Sequence, residues 1–259
     1  MELGLRAKKI LITGASQGIG AGLAEAFAAE GCELYLVARS ADKLGAVADT
    51  IGQAHGVQVH LLPLDITAPG AIDQVMAFGG HVDVLVNNAG SIPGGTLWEV
   101  DETRWREGWE LKVFGYINLC RAMYPAMKAR GAGVILNNIG NGGENPDFNY
   151  IAGSTGNAAL MAFTRALGGR SLEDGIRVVG VNAGPVATDR IVKVMRGHAA
   201  KLLGDAERFG ELMAKYPLGR PATVPEVADL FVYLASDRSA YSSGAIFTVD
   251  GGITSKRSV

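Results

Sequence analysis

The sequence is short of cysteine, of net charge and of long apolar runs. Cys32 and Cys120 are its two cysteines, far apart and without metal-ligand spacing. They read as reduced core thiols, so neither a disulfide framework nor a metal site is expected. With 24 Lys+Arg against 26 Asp+Glu, the formal net charge is −2. That removes the electrostatic case for nucleic acid or an anionic membrane as a partner. No apolar run approaches the ~18 residues of a membrane span, and the N-terminus lacks an apolar leader core, so a cytoplasmic protein is expected. One scarcity is local: no lysine lies between Lys128 and Lys193, and Tyr150 is the single tyrosine between Tyr124 and Tyr216.

What is present suits one large α/β domain: 259 residues, 48% of them hydrophobic, with 36 glycines. The apolar run from Lys9 to Ile12 leads through Thr13 into glycines at 14, 18 and 20. Ile19, Leu23 and Phe27 follow at helical spacing, which reads as strand, tight turn, helix. Glycines permit such a turn and let a pyrophosphate approach the backbone. The helix N-terminus then offers free N–H groups and a positive dipole end. Gly14, Ser16, Gln17, Gly18, Ile19 and Gly20 are the expected contacts. A second strand, 33–38, ends in Arg39-Ser40. An acid there would serve the ribose 2′-hydroxyl of NAD, whereas an arginine suits the 2′-phosphate of NADP. Arg39, with Ser40 as a further donor, points to NADP(H) over NAD(H). Further strands are expected at 57–62, 82–86, 133–139, 176–182 and 245–249. Helices are expected at 41–54, 68–77, 101–129, 154–170 and 225–235. This alternation predicts a Rossmann-type, doubly wound α/β fold.

Taken together, Thr13-Gly-x-x-x-Gly-Ile-Gly20, Asp65, Asn87-Asn-Ala-Gly90, and Ser243-Gly244 followed by Val249-Asp250-Gly251-Gly252 resemble the short-chain dehydrogenase/reductase family. The resemblance covers essentially the whole chain and implies a single domain, 1–259. Its sheet would be seven-stranded and mainly parallel, with helices on both faces and a nicotinamide cofactor at the carboxyl ends of the strands. It implies cofactor contacts at Asp65 and Ile66, at Asn88, Ala89 and Gly90, and at Gly184, Val186 and Thr188. Asp65 would meet the adenine, the Val186 backbone the carboxamide and Thr188 the pyrophosphate. The segment 189–216 would be the substrate lid. Its apolar face fits an apolar or aromatic small molecule, or else packs on the protein itself. Arg190, Lys193 and Arg196 either attract an acidic group or form a solvated basic face. The two long helices are expected to build a homodimer, and the last strand a homotetramer. Ala158, Ala159, Ala162, Phe163 and Ala166 fit that interface or an ordinary core.

Family members move a hydride between the cofactor and a carbonyl/hydroxyl pair. A tyrosine exchanges the proton, a lysine four residues on binds the cofactor ribose, a serine binds the substrate oxygen, and an asparagine on the long helix supports a relay. Trp105 and Pro125 both place the asparagine position at Lys112. The serine position falls at Gly140, the tyrosine at Gly153 and the lysine at Asn157, in register with 158–167. None of the four residues is in place. One reading is a catalytically silent dinucleotide-binding sensor, scaffold or partner subunit. The other is a rewired oxidoreductase in which Lys112 and Asn157 have exchanged places. There Tyr150 swings a phenol inward and Ser154 is the nearest hydroxyl. Glu144, Asn145 and Asp147, in the loop between these positions, contact a polar substrate, shield the site or belong to a solvated loop.

Overall fold

Aliphatic runs of four to eight residues form seven strands in a computed structural model that describes residues 2–256. They are β1 (Lys9–Thr13), β2 (Glu33–Ala38), β3 (Val59–Pro63), β4 (Val84–Asn87), β5 (Gly133–Asn138), β6 (Ile176–Ala183) and β7 (Ile246–Val249). The sheet order is β3-β2-β1-β4-β5-β6-β7. Every neighbouring pair is parallel, so the sheet is wholly rather than mainly parallel. Because successive side chains point to opposite faces, Ile10 and Ile12 join one buried cluster and Leu11 the other. The order reverses between β1 and β4, and the crevice at that point, outside the carboxyl ends of the strands, is where such sheets bind ligands.

The helices are α1 (Gly18–Ala29), α2 (Ala41–His55), α3 (Ala71–Gly79), α4 (Glu102–Trp109), α5 (Gly115–Arg130), α6 (Ile151–Gly168), α7 (Asp189–Leu203), α8 (Phe209–Met213) and α9 (Val224–Ala235). Residues of α1 and α9 share one apolar cluster, and those of α3 and α5 the other. Three expectations shift. The helix placed at 68–77 begins at Ala71, because the Asp65 carboxylate accepts from the Thr67 N–H and hydroxyl and closes a turn first. The helix placed at 154–170 begins at Ile151, directly after Tyr150. The long helix is interrupted: Glu110–Phe114 forms a π-helical segment between α4 and α5. Such segments occur frequently at functional sites, and this one carries Lys112. Among the described residues no helix is long and apolar enough to cross a membrane.

Candidate active site

The glycine turn and the Asn-Asn-Ala-Gly segment are built as one unit. The Thr13 hydroxyl accepts from the N–H groups of Asn88 and Ala89, both at 3.0 Å. The Asn88 amide donates to the Thr13 carbonyl at 2.9 Å and accepts from the Asn138 amide at 2.7 Å. A Cβ at Gly20 would collide with the Gly14 carbonyl and stand 2.5 Å from Asn88 Nδ2. Gly20 is therefore bare to admit the neighbouring backbone. A second ladder runs beneath: Asn87 donates to Asn137 and Asn137 to Thr164, each at 2.9 Å. Asn137 and Asn138 escaped the sequence reading, although they repeat the Asn-Asn pair of the preceding strand.

Gly18 has φ +57 and is exposed, and a Cβ there would point at the Thr188 methyl, 3.5 Å away. Gly18 and Thr188 thus face each other across the mouth of the turn, beside half-buried Ser16 and Ile19. The Thr188 hydroxyl turns back to the Val186 carbonyl at 3.3 Å. Gly184 packs so closely on Asp250 that a Cβ would come within 2.6 Å of its Cβ. At the other end, Arg39 lies 3.8 Å from the Asp65 carboxylate, and both are exposed enough to meet a ligand. The Ser40 hydroxyl caps α2 by accepting from the Lys43 N–H at 3.4 Å. Lys43, which the sequence reading missed, donates to Gln17 Oε1 at 2.9 Å. Its position, in the first turn of α2 and 26 residues from Gln17, carries no spacing signal. A backbone cradle, an open Gly18 face and two cations at the far rim fit a dinucleotide. Ile66 is buried beneath this end.

At the opposite end the four altered positions converge. Lys112 runs over Gly90, where a Cβ would meet its Cδ at 2.8 Å, and its ammonium donates to the Ile139 carbonyl. That carbonyl adjoins Gly140, whose φ of +113 is open only to glycine, so a serine there would strain the backbone. The Asn157 amide lies against Gly140, 3.1 Å from where a Cβ would stand. Lys112 and Asn157 therefore flank the same residue from two helices. Asn157 Oδ1 is buried with no hydrogen-bond partner among the described residues. A Cβ at Gly153 would fall inside the Tyr150 ring, against Cζ, Cε1 and Cε2. The Tyr150 phenol thus occupies the volume above Gly153. Ser154 accepts from the Asp147 N–H at 3.1 Å and holds the loop. Tyr116 is fully buried and donates to the Asn138 carbonyl at 2.9 Å.

Arg190, in the first turn of α7, donates to the Ile92 carbonyl at 3.1 Å. Burial raises the Tyr150 phenol above its usual range, and Arg190, reaching that phenol, pulls against the rise. Burial, reinforced by the Arg190 charge, draws Lys112 from 10.5 down to about 7. Between those values an unfolded chain binds a proton at Lys112 that the folded chain does not, so stability rises with pH across the window. We expect chemical denaturation from pH 7 to 9 to show that rise in the wild type and a flatter profile in Lys112→Met. Equal slopes would mean that Lys112 keeps an ordinary proton affinity.

The rim is apolar. Trp98 and Phe148 are 80% and 60% exposed, with ring centroids 6.3 Å apart. A bridge between Gly95 and Tyr150 joins their two segments. Lys201 of α7 reaches Glu99 at 3.2 Å. Glu144 turns away, accepting from the Thr248 hydroxyl at 2.8 Å with Arg165 at 3.8 Å. The Asp147 carboxylate accepts from the Asn149 N–H. Arg196 pairs with Glu207 at 3.1 Å and lies over the Phe209 ring. Cys32 and Cys120 are buried, their thiols pushed up to about 12 by that burial.

Known proteins resemble the chain over nearly its full length. A family model described as enoyl-(acyl carrier protein) reductase matches residues 14–254. The 3-oxoacyl-(acyl-carrier-protein) reductase FabG of Escherichia coli (strain K12) is 33% identical over 256 residues, covering 95% of this chain and 97% of that one. L-sorbose reductase from Gluconobacter frateurii, solved with NADPH and L-sorbose, superposes with a TM-score of 0.90 at 33% identity, over 99% of this chain and 100% of that one. A 7α-hydroxysteroid dehydrogenase solved with NADH and 7-oxoglycochenodeoxycholic acid gives 0.86 at 30% identity, over 97% and 96%.

Proposed function

We propose, from the premise that the chain belongs to the short-chain dehydrogenase/reductase family, that it is an NAD(P)(H)-dependent oxidoreductase acting on a carbonyl/hydroxyl pair through a rewired site. The observation that carries this reading is the Tyr150 ring standing over Gly153, the family's tyrosine position. A tyrosine ring from three residues upstream covers the base of the missing side chain, with Cζ against the point where a Cβ at 153 would stand. A reduced nicotinamide, when bound, supplies the hydride to the carbonyl carbon. Tyr150 donates the proton to the carbonyl oxygen, and Lys112 and Arg190 stabilise the phenolate left behind. Asn157 packs its amide against Gly140, and Ser154 keeps the loop that carries Tyr150 in place.

NADP(H) is the preferred cofactor in this reading. No acid ends β2, and Arg39 and Lys43 place two cations where a 2′-phosphate would lie, with Ser40 between them. The NADPH complex of the L-sorbose reductase supports the assignment, while the NADH complex of the steroid dehydrogenase shows that relatives use both. Calorimetric titration is expected to give tighter binding of NADPH than of NADH. Arg39→Ala and Lys43→Ala should each weaken NADPH about tenfold, the scale of one charge-assisted hydrogen bond, and leave NADH unchanged. Failure to bind either nucleotide would overturn the reading. Binding without turnover across a carbonyl screen would favour the silent dinucleotide-binding protein. The small residues Ala158, Ala159, Ala162 and Ala166 are exposed along α6, which supports a homodimer through the paired long helices.

A further inference from the structure

Two basic side chains, Lys112 and Arg190, reach the end of the site that holds Tyr150. Lys112 comes from the π-helical segment and Arg190 from the first turn of the lid. Each is fixed by a backbone carbonyl, Ile139 for Lys112 and Ile92 for Arg190. Neither has a carboxylate within ion-pairing distance among the described residues. Elsewhere in the lid region Arg196 pairs with Glu207, Lys201 with Glu99 and Arg208 with Glu211. The Arg190 charge helps draw Lys112 toward its neutral form, and an anion between the two would favour the ammonium. A guanidinium fork matches a carboxylate in two parallel hydrogen bonds, and an ammonium adds a point charge. Beyond the pair, the Trp98 and Phe148 rings offer an apolar platform on the segments joined at Gly95 and Tyr150.

We infer that the substrate is an oxo or hydroxy acid: its carboxylate, next to the reacting carbon, lies between Lys112 and Arg190, and its apolar or aryl body meets Trp98 and Phe148. This rests on the oxidoreductase reading and narrows it to a substrate class. The same cations would also suit a cofactor phosphate. Arg190, however, is tied to Ile92 and Tyr150, whereas Thr188 and Gly18 frame the phosphate turn.

The test is calorimetric titration of phenylglyoxylate and of its neutral methyl ester into protein saturated with NADP+. The acid is expected to bind about tenfold or more tightly than the ester, the scale of one charged contact. Arg190→Gln and Lys112→Gln should each erase the difference, and Arg190→Lys should restore part of it. Equal or tighter binding of the ester, no binding of the acid, or a preference that survives both glutamine variants would overturn the inference. So would Arg190→Gln weakening NADP+ as much as the acid, because the anion would then be the cofactor's own phosphate. No turnover is read, so a protein that binds the acid and reduces nothing would overturn the oxidoreductase reading alone.

Discussion

Tyr150→Phe is expected to lower turnover by about 10²–10⁴-fold, the usual loss on removing a general acid, with NADPH affinity unchanged. The phenylalanine ring keeps the packing above Gly153 and removes only the hydroxyl. No other phenol is poised to replace it: Tyr116 is buried, with its hydroxyl donated to the Asn138 carbonyl. A companion change separates position from presence. Gly153→Ala would drive a methyl into the Tyr150 ring, displacing the phenol while leaving it in the chain. Activity should fall in both variants, and calorimetry should still find the cofactor site intact. Steady-state rates with an active carbonyl, compared at equal cofactor saturation, decide the matter. Full turnover in Tyr150→Phe would move the proton donor to another group, with the Lys112 ammonium the first to examine.

Gly20→Ala is expected to abolish dinucleotide binding and to destabilise the fold by about 1–3 kcal/mol or more, as overpacking does. The added methyl would press on the Gly14 carbonyl and on Asn88 Nδ2. One is backbone, and the other already donates to the Thr13 carbonyl, so neither yields cheaply. Moving either would open the phosphate turn. Gly45→Ala is the matched control within α2, because a Cβ there meets nothing within 4 Å. That variant should gain about 0.5–1 kcal/mol through the better helix propensity of alanine. Denaturant titration of both, with NADPH calorimetry, tests the pair. Normal NADPH binding by Gly20→Ala would show that the turn tolerates what its packing forbids.

The fold was legible because its signals are local and periodic. Thr13 with the glycines at 14, 18 and 20, and the repeated apolar runs, place all seven strands within two residues at either end. The glycine turn was legible for the same reason, since turn chemistry is written in adjacent residues. Lys43 was missed because its value lies in a contact with Gln17, 26 residues away, which no spacing announces. The end that holds the four altered positions was half legible. Counting register located Gly140, Gly153 and Asn157 and singled out Tyr150. It could not show that the ring covers Gly153, because that depends on α6 starting at Ile151. Arg190 was noticed only as one of three basic lid residues. Its difference from Arg196 is a partner, and partners are a tertiary property.

The π-helical segment at 110–114 also bears on how such a site can arise. A π turn absorbs one residue more than an α turn, so the helices on either side keep their phase against the sheet. The length of this helix is thereby uncoupled from its packing. Deleting one residue at 110–114 would return the turn to α and change which side chain enters the cleft without re-facing Leu119, Met123 or Met127, which remain in the core. A single-residue deletion there offers an evolutionary route between chemistries that leaves the core packing in place.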